Sequence, residues 1–199
     1  MLKKIEVELI TGFLSAGKTS FLQSFIDISK KEGTEILIIQ CENGRAQLSD
    51  ELLNKKKVVL RKYKNNQDLD YKSLLNNINF HAPKRIVIEC NGVCNLDEFL
   101  SFLNSESLRK RIKVTGIITV VDCMTMNMFL KNMSSLILPN LRAADLIVLN
   151  NCDSVGLKKT EELEQILKDI NLHAHILRCH SSINLDEDVR NCSIIKKFV

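Results

Sequence analysis

The segment GFLSAGKTS, Gly12 to Ser20, sets Gly12, then four intervening residues, ahead of Gly17-Lys18-Thr19 and directly after an apolar run. A turn of this spacing lets backbone N–H groups converge on the β- and γ-phosphates of a nucleotide. Lys18 supplies a point charge, Thr19 supplies a hydroxyl ligand for Mg²⁺, and a helix opening at Gly17 adds the positive end of its dipole. Gly12, Ser15, Ala16, Gly17, Lys18, Thr19 and Ser20 are therefore the expected phosphate-binding set. Glu42 stands just past a second apolar run, where a carboxylate can reach Mg²⁺ or its waters; a plain polar loop residue is the other reading. Glu89 closes the run IVIE. A strand that ends in a carboxylate beside a phosphate loop is a Walker-B arrangement and holds Mg²⁺, whereas a carboxylate that merely caps the next helix is the alternative. Gly92 can bring its N–H to the γ-phosphate with no side chain in the way. In NNCD, Asn150 to Asp153, the Asp153 carboxylate can accept from both donors on the guanine edge, a pair that adenine lacks. An ordinary Asn/Asp-rich turn would look the same locally.

These side chains need a scaffold that gathers strand ends. Seven apolar runs serve as strand candidates: Ile5–Ile10, Ile36–Gln40, Val58–Leu60, Ile86–Glu89, Val114–Val121, Leu146–Leu149 and Ala174–Leu177. Most are continuous and rich in Val and Ile, as strands buried on both faces are. Helical periodicity falls between them. Tyr71, Leu74, Leu75 and Ile78 share one spacing, and Leu163, Ile166, Leu167 and Ile170 repeat it, with Glu164 and Lys168 as an outward i,i+4 pair. The alternation predicts an α/β fold of the P-loop NTPase kind, a mostly parallel sheet with helices on both faces. Its ligand site lies beyond the carboxyl ends of the strands. The 199 residues are expected to form a single domain, residues 1–199, since no break in composition marks a second.

Composition narrows the partners. A net charge of +4 is too mild to imply nucleic acid. The amino-terminal MLKKIEVELI has no signal-like apolar stretch, and Val114 to Leu130 carries Asp122 and Asn127, so it reads as strand and helix, not as a membrane span. Seven cysteines without an export signal suggest reduced thiols and a cytoplasmic protein.

Taken in order, ITGFLSAGKTSFL, CENGRAQLSDELL, IVIECNG, VVD and DLIVLNNCD resemble the CobW-like GTPases, relatives of the nickel-insertion GTPases for hydrogenase and urease. The resemblance covers roughly residues 4–180. It implies a mostly parallel GTPase domain with Glu42 as the switch carboxylate, Glu89 and Gly92 as the Walker-B pair, and Asn150 and Asp153 reading the base. It further implies nucleotide-dependent pairing of two protomers and service to a metal- or cobalamin-dependent client protein or separate subunit. There are departures. The family's Cys-x-Cys-Cys motif is replaced by RKYKNNQDLD after Val58–Leu60, its Asn-Glu-Phe-Gly-Glu by Cys41-Glu42-Asn43-Gly44-Arg45, and the Lys of its Asn-Lys-x-Asp by Asn151. The usual carboxyl-terminal domain is not in this chain.

Cys41, Cys90, Cys94, Cys123, Cys152 and Cys179 all fall at or just after strand candidates. Cys41, Cys90 and Cys94 flank Glu42 and Gly92, and either replace the missing motif as ligands of a soft metal such as Zn²⁺ or pack as small buried hydrophobes. Lys55, Lys56, Lys57, Arg61, Lys62 and Lys64 form one basic run and Arg109, Lys110, Arg111 and Lys113 another; both read as solvated faces, or the first as a dock for an acidic partner. The expected reaction is hydrolysis of GTP to GDP and phosphate. Lys18, Mg²⁺ and the loop amides stabilise the transferring phosphoryl group, and Glu42 or Glu89 orders Mg²⁺ and water. No arginine finger can be assigned, so turnover is expected to be slow. A nucleotide-binding regulatory subunit with little hydrolysis stays open, as does a small P-loop phosphotransferase, although no arginine-bearing lid is evident.

Overall fold

The structure is a computed structural model that describes residues 3–29, 33–42, 44, 46–54, 57–180 and 185–195. Asn43, Arg45, Lys55 and Lys56 lie outside the described residues. All seven strand candidates are strands: β1 Ile5–Thr11, β2 Ile36–Gln40, β3 Val58–Lys62, β4 Arg85–Glu89, β5 Ile112–Asp122, β6 Leu146–Asn150 and β7 His175–Arg178. They pair in parallel throughout, in the order β3-β2-β4-β1-β5-β6-β7. The two-residue period of each strand divides its side chains between two covers. Ile10, Ile38, Val87, Val120 and Val148 meet Phe21, Phe25 and Ile26 of α1 (Lys18–Ser29), Leu52 of α2 (Asp50–Asn54), and Leu185 and Val189 at the far end of the chain. On the opposite face Val7, Leu9, Leu37, Ile39, Ile86 and Ile88 meet Leu74 and Ile78 of α3 (Tyr71–His81) and Leu96, Phe99 and Leu103 of α4 (Leu96–Leu103). Farther along that face, beyond β5, Ile147 and Leu149 meet Met126 of α5 (Met126–Asn132), Ile137 and Leu141 of α6 (Ser134–Ala143), and Leu163 and Leu167 of α7 (Leu157–Ile170).

The two helices read from their periodicity form as expected, and Lys168 Nζ reaches Glu164 Oε1 at 2.5 Å. Ile166, counted into the apolar stripe of α7, is exposed instead. Its neighbours Leu163 and Leu167 are buried against β6, with Ile170 packed half-buried beside them. The sequence reading leaves α8, Leu185–Asn191, unrecognised. It lies on α1, where Ser24 Oγ donates to Asp186. Of the first basic run, Lys57 is held by Glu35 at 3.0 Å, and Arg61 turns over α3, with Nε donating to Asn77 Oδ1 at 3.1 Å. Lys62 and Lys64 face solvent, as do Arg109, Lys110, Arg111 and Lys113. Among the described residues no helix is long and apolar enough to cross a membrane.

Candidate functional site

The turn between β1 and α1 is held in a shape that only certain residues permit. Gly12 has φ 130° and Gly17 φ 96°, and Ser15 joins them at φ 62°. A Cβ on Gly12 would run into the carbonyl oxygen of Val120 in the neighbouring β5, and one on Gly17 would strike the Asn150 side-chain amide. These two glycines therefore answer both to backbone conformation and to close packing. Lys18 and Thr19 open α1, both buried, while Ser15 and Ser20 stay exposed and Ala16 is buried. Lys18 folds back over the loop and donates from Nζ to the Phe13 carbonyl at 2.9 Å.

Three other strand ends converge on this turn. From β4, Glu89 Oε1 accepts a 2.6 Å hydrogen bond from Thr19 Oγ1, and from β2, Gln40 Nε2 donates to Glu89 Oε2 at 2.6 Å. Parallel pairing sets Gln40 level with Glu89. Burial pushes the Glu89 carboxyl up from its ordinary value, while the Thr19 and Gln40 hydrogen bonds and the Lys18 charge pull it back. Just past β2, Glu42 Oε2 lies 2.7 Å from Lys18 Nζ as an ion pair. That oxygen is buried and makes no well-aligned hydrogen bond. Just past β4, Gly92 abuts the loop backbone: a Cβ there would stand 2.6 Å from Leu14 N and 3.1 Å from the Phe13 carbonyl carbon. From β6, Asn150 Nδ2 donates to the Ala16 carbonyl at 3.0 Å. Asp153 follows in a short 3₁₀ turn, Cys152–Ser154, with an exposed side chain.

Thr19, Glu89 and Glu42 offer hydroxyl and carboxylate oxygens alone, a hard donor set suited to Mg²⁺ and not to a soft metal. Glu42 Oε2 is engaged by the Lys18 ammonium at 2.7 Å, so a metal would have to share or take over that contact. One contributor, Gln40, and one contact, that of Asn151 with Asp122, went unnoticed in the sequence. Gln40 orients Glu89, and its signal was its position at the end of the strand beside Glu89. Asn151, at φ 59°, donates from Nδ2 to Asp122 Oδ1 at 3.2 Å. This residue ties the turn after β6 to the end of β5.

The cysteines separate into two groups. Cys41 and Cys90 are fully buried, and Cys94 is half-buried and hydrogen-bonded to Cys90. Burial pushes the Cys41 thiol up to about 12. The Cys90–Cys94 hydrogen bond pushes Cys90 up and Cys94 down. Cys41 and Cys90 pack among Leu37, Ile39 and Leu96, as small hydrophobes do. Among the described residues, no group of three or more His, Cys, Asp and Glu side chains is arranged to hold a metal ion. Cys123 and Cys152 form the second group, on the far side of the phosphate loop.

Comparison with known proteins agrees with this geometry. The model of the CobW/HypB/UreG nucleotide-binding domain matches residues 6–178. A zinc-regulated GTPase metalloprotein activator 1 of Schizosaccharomyces pombe is 27% identical over 192 residues, which are 88% of this chain and 46% of that protein. The zinc chaperone YjiA of Escherichia coli is 29% identical over 198 residues, 91% of this chain and 59% of its own. The chain thus spans about half the length of the curated relatives it matches. The crystal structure of Zn(II)-bound YjiA GTPase superposes with a TM-score of 0.63 at 26% identity, covering 88% of this chain and 57% of that one. The hydrogenase maturation factor HypB of Archaeoglobus fulgidus shares the fold, with a TM-score of 0.62 at 18% identity over 96% of this chain and 90% of its own.

Proposed function

The chain belongs to the CobW/HypB/UreG nucleotide-binding domain family, and on that premise we propose that it binds GTP with Mg²⁺, hydrolyses it slowly, and uses the cycle as a switch in handling metal for a client protein. The observation that carries the nucleotide half is the 2.6 Å junction of Thr19 with Glu89 beside the buried Lys18. Thr19 and Glu89 would hold Mg²⁺, which supplies charge neutralisation for the phosphates when bound. Gly12, Ser15, Ala16, Gly17 and Ser20 shape the loop whose amides face the phosphates, and Lys18 stabilises charge on the transferring group. Gly92, in contact with the loop backbone, is placed to report the γ-phosphate to the segment that follows it. Glu42 neutralises Lys18 in the absence of nucleotide; with phosphate in its place, it would be free to help hold Mg²⁺ or orient the attacking water.

Asp153 reads guanine, and Asn150 fixes the loop beneath it. Replacing Asp153→Asn swaps an acceptor for a donor, so GTP affinity should fall at least about tenfold while xanthosine triphosphate gains. Calorimetric titration of both nucleotides, with ATP as comparison, checks this, and unchanged guanine preference would refute it. The metal half draws on the relatives, whose names speak of zinc. Cys90 and Cys94, joined by a hydrogen bond and flanking Gly92, are the soft donors nearest the switch, with Cys41 behind them. The cargo metal would pass between this pair and the client. Pairing of two protomers on GTP would bring two such faces together.

A further inference from the structure

Cys123 follows β5 and Cys152 follows β6, and the parallel register sets Asp122 level with Asn150 just before them. The two chain ends are joined by Cys123 N donating to the Asn150 carbonyl at 3.0 Å. Their sulfur atoms stand 3.6 Å apart. A disulfide needs about 2.05 Å, so the sulfur atoms must close by about 1.5 Å from the observed 3.6 Å. Cys152 opens a single 3₁₀ turn, its N–H donating to the Cys179 carbonyl at 3.0 Å and its carbonyl accepting from Thr160 Oγ1 at 3.3 Å, so drawing it toward Cys123 strains these bonds and the turn that carries Asp153. It is also the residue before Asp153. We propose that Cys123 and Cys152 form a reversible disulfide under peroxide, and that this bond loosens guanine-nucleotide binding by pulling the base loop toward β5.

The two thiols are unequal in a way that suits the chemistry. The Cys152 thiol is drawn down to about 7, chiefly by the hydrogen bond from Cys123, then by the Cys179 N–H and the His180 and Thr160 side chains, against the opposing effect of burial. The same bond, together with burial, pushes Cys123 up, keeping it protonated. Cys152 is the nucleophile. Its thiolate attacks one oxygen of hydrogen peroxide, the O–O bond breaks, and a sulfenic acid and hydroxide result. The Cys123 sulfur then attacks the sulfenic sulfur, the S–O bond breaks, and the departing hydroxide takes up the Cys123 proton as water. Two thiols lose two electrons to one peroxide, and two waters leave. A dithiol reverses the step by exchange. In the neutral thiol Cys152 Sγ donates to the Leu149 carbonyl at 3.1 Å, and that bond is given up when the thiol ionises. The new bond shifts Cys152 and hence Asp153, while Asn151 remains tethered to Asp122.

The effect on nucleotide rests on the guanine reading above; the disulfide does not. Treating the full chain with hydrogen peroxide, followed by tryptic mapping, should yield a peptide pair linked through Cys123 and Cys152, distinct from any Cys90–Cys94 product. Affinity for a fluorescent GDP analogue should then fall about fivefold, the worth of one lost hydrogen bond, and return on dithiothreitol. The Cys123→Ser variant should keep the reduced-state affinity through peroxide treatment. Absence of the linked pair, or Cys152 running on to sulfinic acid, overturns the proposal. A linked pair with unchanged affinity overturns it as well. If the reduced protein prefers adenine, the guanine reading fails by itself, and the affinity arm is read with the ATP analogue instead.

Discussion

At the scale of single residues, the site is a set of groups each with one geometric reason to be what it is. Gly92 is a clear case, because its backbone conformation does not demand glycine but its surroundings do. The atoms a Cβ would meet, Leu14 N at 2.6 Å and the Phe13 carbonyl carbon at 3.1 Å, belong to the phosphate-loop backbone. A side-chain tip can swing aside; this backbone cannot, because Lys18 and Asn150 hold the loop through the Phe13 and Ala16 carbonyls. Gly92→Ala should therefore displace the loop, at a cost of about 1–3 kcal/mol. Nucleotide affinity should fall roughly tenfold or more by that measure, with the far-ultraviolet circular dichroism unchanged. Retained affinity would mean that the segment after β4 yields and the loop does not. Thr19, Lys18 and Glu89 were legible in the sequence because their meaning lies in local spacing after an apolar run. Gln40 was not, since its bond to Glu89 depends on β2 and β4 being neighbours in register, and no local pattern states which strands are neighbours. Asn150 stood out in the sequence by its place after a strand, but its grip on Ala16 spans 134 positions of chain and had no local signal.

At the scale of elements, the strands announced themselves because they are buried on both faces and need Val and Ile throughout. The short helices did not. Asp50–Asn54 offers one buried side chain, Leu52, and Leu185–Asn191 offers two in the acidic sequence LDEDVRN. Neither has enough apolar repeats to set a period. Connections were equally silent, and one of them holds the sheet's far flank together. Asn171, at the end of α7, donates from Nδ2 to the carbonyls of Leu141 and Ala144, both at 2.9 Å, and of Arg142 at 3.1 Å. Its Oδ1 accepts from the N–H groups of His173 and Ala174, both at 3.0 Å. One buried amide thus closes the end of α6 and the turn into β7, where a hydrophobic residue could do neither. Asn171→Ala leaves these backbone groups unpaired in a buried place, and should lower unfolding stability by about 2–4 kcal/mol. Urea denaturation measures this. Because β7 is the edge strand beside β6, the same variant should show faster amide exchange in β7 before β1 or β4 is affected.

At the scale of the whole molecule, the centre of the sheet contains an ion pair that the nucleotide chemistry does not use. Arg85 Nε donates to Glu8 Oε1 at 3.0 Å, and both side chains are buried. The guanidinium also donates from Nη1 to Ser29 Oγ at 2.9 Å and lies 4.9 Å from the centre of the Phe25 ring. β1, β4 and the end of α1 are thereby tied at one point. Burial pushes the Glu8 carboxyl above its ordinary 4.5, and the Arg85 charge only partly restores it. A carboxyl raised in the folded state binds its proton more tightly folded than unfolded. Its stabilising share is therefore complete below 4.5 and is lost as pH rises through the higher folded value. Arg85→Met removes the charge that opposes this, so the folded value moves further up and the loss extends over a wider range of pH. At neutral pH the variant should lose about 3–5 kcal/mol, the cost of an uncompensated buried carboxylate. Near about pH 5 the deficit should shrink, since Glu8 can then stay protonated at lower cost. In the double variant Glu8→Leu with Arg85→Met no charge is left to bury, and most of the deficit should vanish at either pH. Urea unfolding of the three proteins at both pH values gives the answer. A deficit of Arg85→Met that does not change with pH would show that Arg85 acts through Ser29 and Phe25, as a packing strut between α1 and the sheet, and not as the counter-charge of Glu8.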